Sequence, residues 1–155
     1  MFHNETSLII NLYILVCSKF KKIKGVIFMA EKNEIYKCNK CGIEVEILHK
    51  GDGVLTCCEK PMVLKSSFDG EGVAQEHIPK IEDLGNKVKV VVGAVRHPMT
   101  DTHHIEWIEI ITGDGVCRKN LKVDSEPEVE FNFNRDEIVI LREYCNIHGL
   151  WEINL

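Results

Sequence analysis

Four cysteines set the terms for the first part of this chain. Cys38-Asn-Lys-Cys41 is followed, fifteen residues later, by the adjacent pair Cys57-Cys58. A C-x2-C knuckle turns the chain so that both sulfurs face one centre, and four thiolates make a closed tetrahedral site for Zn2+ or iron. The segment that carries them is about forty residues long, a size that seldom holds a core of its own without a staple such as a metal. Neighbouring residues in a strand point to opposite faces, so Cys57 and Cys58 can both ligate only where the backbone turns sharply between them. A zinc ribbon that merely holds the fold is the plainer reading of the same spacing. A disulfide scaffold is disfavoured because no secretory signal is present and the total of seven cysteines is odd.

The remaining composition narrows the function classes. Of 155 residues, 45% are hydrophobic, enough for a packed core, and the formal net charge of −5 gives no global support for binding nucleic acid or an anionic membrane. The apolar run at residues 7–17 is about half the length of a membrane span, and its lysines follow the run, whereas those of a signal peptide precede it. Met29 opens a second plausible start, MAEKNEIYKC, so residues 1–28, which include His3 and Cys17, read as an extension outside the working protein.

From Glu31 onward the pattern is β-like. Ile43, Val45 and Ile47 alternate with Glu44 and Glu46, and Val129, Phe131 and Phe133 alternate with acidic and amide residues, both signatures of half-buried strands. Further strands are expected over 87–92, 105–111 and 137–141, with Gly-containing turns at 50–53, 68–72, 84–86 and 112–115. Short strands at this spacing argue for an antiparallel sandwich or barrel. The natural boundary falls between Lys65 and Val73, giving a small segment at 29–66 and a larger one at 67–155. The carboxylate pairs Glu44/Glu46 and Glu128/Glu130 read as solvated strand faces.

The larger segment holds a second set of soft ligands: His77, His97, His103 and the group Cys145-Asn-Ile-His148. Four imidazoles and one thiolate exceed what a closed tetrahedral zinc site uses, and suit a five-coordinate redox iron with one open position. Spacing alone does not make them converge. His104, next to His103 on a strand, faces the other way, His49 lies beside a turn, and Cys117 reads as a buried free thiol, so none of these is expected to ligate.

Taken in order, C-x2-C-x15-CC, E-H-I-P, H-P-M-x3-H-x-I-E-W and C-N-x-H-G-L-W resemble the desulfoferrodoxins, the two-iron superoxide reductases, over nearly all of the chain from Met29. The resemblance implies an all-β protein: a small desulforedoxin-like, rubredoxin-type metal domain at 29–66, then an immunoglobulin-like antiparallel β-sandwich at 67–155. It implies iron held by Cys38, Cys41, Cys57 and Cys58, and a second iron with His77, His97, His103 and His148 in its plane and Cys145 on its axis. The implied reaction is one-electron reduction of superoxide to hydrogen peroxide, with re-reduction by an external donor such as rubredoxin. A homodimer in the cytoplasm of an anaerobe or microaerophile is implied as well.

One position departs from the family pattern, which commonly reads Glu-Lys-His where this chain has Gln75-Glu76-His77. Either Gln75 and Glu76 stand in for Glu and Lys, or the Lys is deleted and Glu76 is the carboxylate that caps the resting iron. Both versions make Glu76 a member of the catalytic set and weaken the steering of an anionic substrate, with Lys80 or Lys60 as partial compensation. The competing functions are a pure iron electron-transfer protein, a zinc-stabilised binding module and a dismutase-like activity that also releases O2.

Overall fold

The structure, a computed structural model, describes residues 29–66 and 74–155. The 1–28 extension, with His3 and Cys17, and the turn expected at 68–72 lie outside the described residues. The chain divides into two compact units between Val63 and Leu64, within a short strand that is described with the first.

The first unit is built from very short strands. β1 (Met29–Ala30) pairs antiparallel with β4 (Gly51–Asp52), so half of the turn expected at 50–53 is paired backbone. A three-stranded sheet has β2 (Ile35–Lys37) between β3 (Glu44–Glu46) and β7 (Val63–Lys65). Among the described residues of this unit only Ile35 and Cys38 are buried. The alternation read as a half-buried strand at 43–47 therefore does not sort inside from outside. Ile43 is exposed, and Val45 is no more buried than its glutamate neighbours, because among the described residues no second layer covers the sheet. One buried Ile contributes roughly 1.5–3 kcal/mol, far short of what ordering this segment costs.

The hairpin of β5 (Thr56–Cys57) and β6 (Lys60–Pro61) meets the requirement set by the adjacent cysteines. Cys57 pairs with Lys60, which leaves Cys58 and Glu59 as a two-residue loop. Their φ angles, 51° and 62°, are both left-handed, the conformation of a type I′ hairpin turn, where Asn-Gly is the usual choice. A non-glycine residue there costs roughly 1–2 kcal/mol.

The second unit is a sandwich of two antiparallel sheets. β8 (Pro79–Asp83), β9 (Val88–Val92) and β12 (Glu128–Phe131) form one sheet in the order β12-β9-β8. The other, in the order β11-β10-β13-β14, is made by β10 (Ile105–Thr112), β11 (Val116–Asn120), β13 (Ile138–Cys145) and β14 (Gly149–Asn154). On β9, Val88, Val90 and Val92 point inward and meet Ile105, Ile108 and Ile110 of β10, Phe131 of β12 and Leu141 of β13. Cys117 packs against this cluster but is only half-buried, a small correction to its reading as a buried thiol. The turns at 84–86 and 112–115 close as expected, with Leu84 N–H donating to Lys87 O at 2.9 Å and Thr112 N–H to Gly115 O at 2.8 Å. Glu128 and Glu130 are surface partners of Lys89 and Lys87 at 2.7 Å each.

β13 runs four residues past the expected 137–141 strand, to Cys145. Arg142 and Glu143 interrupt its apolar pattern, yet both are buried and each has an internal partner. Arg142 Nε donates to Glu109 Oε1 at 2.7 Å, its terminal nitrogen donates to the same oxygen, and Arg118 on β11 pairs with Glu109 Oε2. Glu109 is flanked in register by both arginines, so the central strand β10 is buried on both faces, one apolar and one ionic.

Two expectations follow. Glu59→Gly removes left-handed strain from the Cys58-Glu59 loop and stabilises the cysteine-bearing unit by about 0.5–1 kcal/mol, read as a later guanidinium midpoint for its iron absorption. Arg142→Ala leaves Glu109 short of one of its two cations and destabilises the sandwich by about 3–5 kcal/mol, read by chemical unfolding of the whole chain.

Candidate metal centres

In the first unit the C-x2-C knuckle is shaped by backbone hydrogen bonds. Cys38 N–H donates to Ile43 O at 2.8 Å and Gly42 N–H to Cys38 O at 2.9 Å, and Gly42 takes the left-handed φ of 79° that the turn needs. The hairpin loop brings the other two thiols to the same place. Cys41 Sγ lies 3.5 Å from Cys57 Sγ, which lies 3.8 Å from Cys58 Sγ, and all four sulfurs fall within 4.8 Å of one another. The backbone N–H groups of Cys41 and Lys40 hold the Cys38 thiol down at about 6, whereas hydrogen bonding to the Cys41 and Cys38 sulfurs pushes the Cys57 thiol up to about 12. Four thiolates at this separation require a metal, and the donor set fits iron.

The second cluster draws on four separate segments. His77 ends the short helix α1 (Ala74–His77), His97 and His103 lie in the loop between β9 and β10, Cys145 ends β13, and His148 precedes β14. Cys145 pairs with Gly149, whose φ of 80° closes the intervening three-residue loop and returns His148 beside Cys145. α1 is held from behind by Gly93, at φ 82°. A Cβ there would stand 2.5 Å from Glu76 O and 2.4 Å from Val95 O. The amides of Ala94 and Val95 donate to Gln75 O at 2.6 and 3.2 Å. Glycine is required at this position because the backbone bearing Glu76 and His77 occupies the place of its side chain.

The four imidazoles form a closed ring of edge-on neighbours. Centroids are 4.6 Å apart for His77 and His97, 4.5 Å for His97 and His103, 4.9 Å for His103 and His148, and 4.8 Å for His148 and His77, with interplanar angles of 63° to 80°. Hydrogen bonds fix which nitrogen faces the centre. His97 Nδ1–H donates to Pro98 O at 2.6 Å, and His77 Nδ1 bonds Glu143 Oε1 at 2.9 Å, so each turns its Nε2 inward. His77 Nε2 lies 2.8 Å from His148 Nδ1, which is 3.7 Å from Cys145 Sγ. The ligand atoms of His77, His97, His103, Cys145 and His148 all lie within 4.8 Å of one another.

The cluster has the chemistry of a metal site. Nε2 of His97 and Nε2 of His103 are buried with no hydrogen-bond partner, a state that native proteins rarely leave unexplained. Burial drives His77 down to about 3 and His97 to about 4, and lowers His103 too, with the neighbouring histidines adding to the effect. His77, His97 and His103 are therefore neutral and offer lone pairs. Burial raises the Cys145 thiol, while the N–H groups of His148 and Ile147 oppose that rise, as expected for amides near the sulfur. Five nitrogen and sulfur donors around one point fit the five-coordinate iron expected from the sequence.

His104 and His49 stand outside both clusters, as expected, and His104 Nδ1–H donates to Thr100 O at 2.9 Å. Glu76 is half-buried in α1 directly before His77, and its carboxylate partly offsets the lowering of His97 and His103. Two supporting residues were not read from the sequence. Glu143, fully buried and pushed up to about 9 by that burial, orients His77 as in a carboxylate–histidine–metal arrangement. Trp151 stacks on the His77 ring at 4.6 Å and 6°. The signal for Glu143 was a charged residue inside an apolar strand that leads into a ligand, since such a residue needs an internal partner.

Comparison with known proteins agrees with both units. Residues 69–154 match the family described as desulfoferrodoxin, and residues 30–64 match the desulfoferrodoxin N-terminal domain. The chain is 48% identical over 125 residues to the desulfoferrodoxin of Nitratidesulfovibrio vulgaris, covering 80% of this chain and 98% of that one. It is 46% identical over 123 residues to a desulfoferrodoxin homolog of Methanothermobacter thermautotrophicus, covering 79% and 99%. Among solved structures, the superoxide reductase from Treponema pallidum superposes with a TM-score of 0.60 at 30% identity, covering 78% of this chain and 96% of that one. With a four-cysteine unit followed by a sandwich that gathers four histidines and a cysteine, and with both halves matched in order, the chain belongs to the desulfoferrodoxin family.

Proposed function

We propose that this protein is a superoxide reductase: superoxide takes up one electron and two protons and leaves as hydrogen peroxide. The observation that carries the reading is the convergence of four imidazoles, two of them fully buried, and one cysteine sulfur, all within 4.8 Å of one another. We assign residues 29–66 to a four-cysteine iron domain, residues 67–155 to the reductase sandwich, and residues 1–28 to neither.

Iron held by His77, His97, His103, His148 and Cys145 supplies the one-electron chemistry. The imidazoles bring no charge of their own and Cys145 brings one negative charge, so the site retains net positive charge for an anionic substrate. The N–H groups of Ile147 and His148 temper electron donation from the Cys145 sulfur. Glu143 anchors His77 through Nδ1 and Trp151 fixes its ring plane, so that Nε2 keeps its aim. Glu76 brings a carboxylate next to the first histidine, His77, where the usual family pattern has a lysine. The negative charge there opposes the approach of superoxide and leaves the ligand set intact.

Re-reduction is assigned to a rubredoxin-like donor, and the assembly to a homodimer in the cytoplasm of an anaerobe or microaerophile; both follow the family resemblance. Among the described residues no helix is long and apolar enough to cross a membrane.

The reaction is tested by reducing the iron-loaded chain anaerobically, adding a measured pulse of superoxide and quantifying H2O2, O2 and iron oxidation together. One peroxide per superoxide without O2 is expected. Peroxide with an equal yield of O2 identifies dismutation, and no reaction favours electron transfer. Replacing the carboxylate by an ammonium in Glu76→Lys is expected to raise the second-order rate with superoxide severalfold, up to about tenfold at low ionic strength. The gain should shrink as salt is added; an unchanged rate at low salt contradicts the electrostatic account.

A further inference from the structure

Asn146 lies between two proposed ligands, Cys145 and His148, and its Oδ1 stands 3.8 Å from Cys145 Sγ. Its three nitrogen–oxygen bonds go to the loop that carries His103. His104 N–H donates to Asn146 Oδ1 at 2.9 Å, Asn146 Nδ2 donates to Thr102 O at 3.1 Å, and Asn146 N–H donates to His104 O at 3.1 Å. The two side-chain bonds bracket His103, one to the carbonyl before it and one to the amide after it. Each span is long in sequence, 42 and 44 residues.

The register explains the arrangement. The β10–β13 ladder ends at the pair Ile105 and Cys145, and beyond it the side-chain amide of Asn146 supplies one acceptor and one donor in place of another strand residue. Its partners also fix its orientation, because Oδ1 faces an N–H and Nδ2 faces a carbonyl. Asn is well suited to this task. Ala offers neither group, and Asp keeps the acceptor while turning a second oxygen toward Thr102 O. On the other side of the loop, Thr100 and His103 exchange backbone bonds at 2.9 and 3.2 Å, so the segment is a small closed turn whose one tie to the Cys145 loop by a side-chain amide is Asn146.

We propose that Asn146 is a positioning residue that fixes His103 relative to Cys145, so that the ring nitrogen of one ligand and the sulfur of another keep a set separation. The proposal rests on the reading of the five donors as an iron site. It assigns Asn146 no contact with substrate.

The test uses the full iron-loaded chain with Asn146→Ala and Asn146→Asp. In Asn146→Ala, iron should leave the histidine-cysteine centre for a chelator about tenfold faster or more, and the sulfur-to-iron absorption of that centre should shift. Release from the four-cysteine centre should not change, which separates positioning from general loss of stability. In the metal-free chain, hydrogen exchange at His104 N–H should accelerate about tenfold in Asn146→Ala, and less in Asn146→Asp, which retains the acceptor. Wild-type rates and spectra in both variants overturn the proposal. If Asn146→Ala does not fold, Asn146→Asp carries the same measurements through its lost donor arm. If the wild-type chain fails to hold iron at its histidines, the proposed function falls, and exchange at His104 N–H still decides whether the clip exists.

Discussion

The structure depends on gathering four imidazoles, two of them fully buried, where no protein group satisfies all of their nitrogens. Nε2 of His97 and Nε2 of His103 lack partners, and desolvation holds the His77, His97 and His103 rings neutral. In an ordinary core this arrangement costs free energy at each orphaned atom. A cation at the centre reverses the sign, because neutral imidazoles in a dry pocket are then ligands already stripped of water and held in place. The sandwich supplies what holds them. β13 and β14 present Cys145 and His148 across one tight loop, Gly93 lets α1 approach closely enough to bring His77 in, and Glu143 and Trp151 lock that ring from the side and from above its face.

The cysteine-bearing unit solves a different problem. With Ile35 and Cys38 the only buried residues among those described, it lacks the apolar area to offset its own conformational entropy. Its backbone also accepts two consecutive left-handed non-glycine residues at Cys58 and Glu59 in order to turn both adjacent thiols to one point. Sulfur–metal bonds are the interaction available to compensate both deficits. The two units thus use metal in opposite ways: in the first it stands in for a core, and in the second a well-packed core positions the ligands.

Much of this was legible in the sequence, for identifiable reasons. Thiol spacing is a local code, and the adjacency of Cys57 and Cys58 demanded the sharp turn that the structure has. The strands of the sandwich were visible where one face is apolar and the other solvated, as at Val88, Val90 and Val92. Legibility failed where burial and polarity part company. Arg142, Glu143 and Glu109 are ionisable yet fully or nearly fully buried, because each is paired with or bonded to a residue distant in sequence. A periodicity argument therefore ended β13 too early and missed the support of His77. At Ile43 the failure ran the other way: the alternation was present, but no layer among the described residues buries it. Asn146 gave no signal, since its partners are backbone groups more than forty residues away.

The central claim is that the five donors from four segments hold iron that differs in kind from the iron on the four thiols. Mössbauer spectroscopy of isotopically enriched, iron-loaded chain, taken before and after reduction, tests it most directly. Two irons per chain are expected, one with the signature of tetrahedral sulfur ligation and one with mixed nitrogen and sulfur ligation, the latter disappearing in His97→Ala while the former persists. A single sulfur-ligated iron, or a histidine cluster that takes up no iron under any loading condition, would contradict the account.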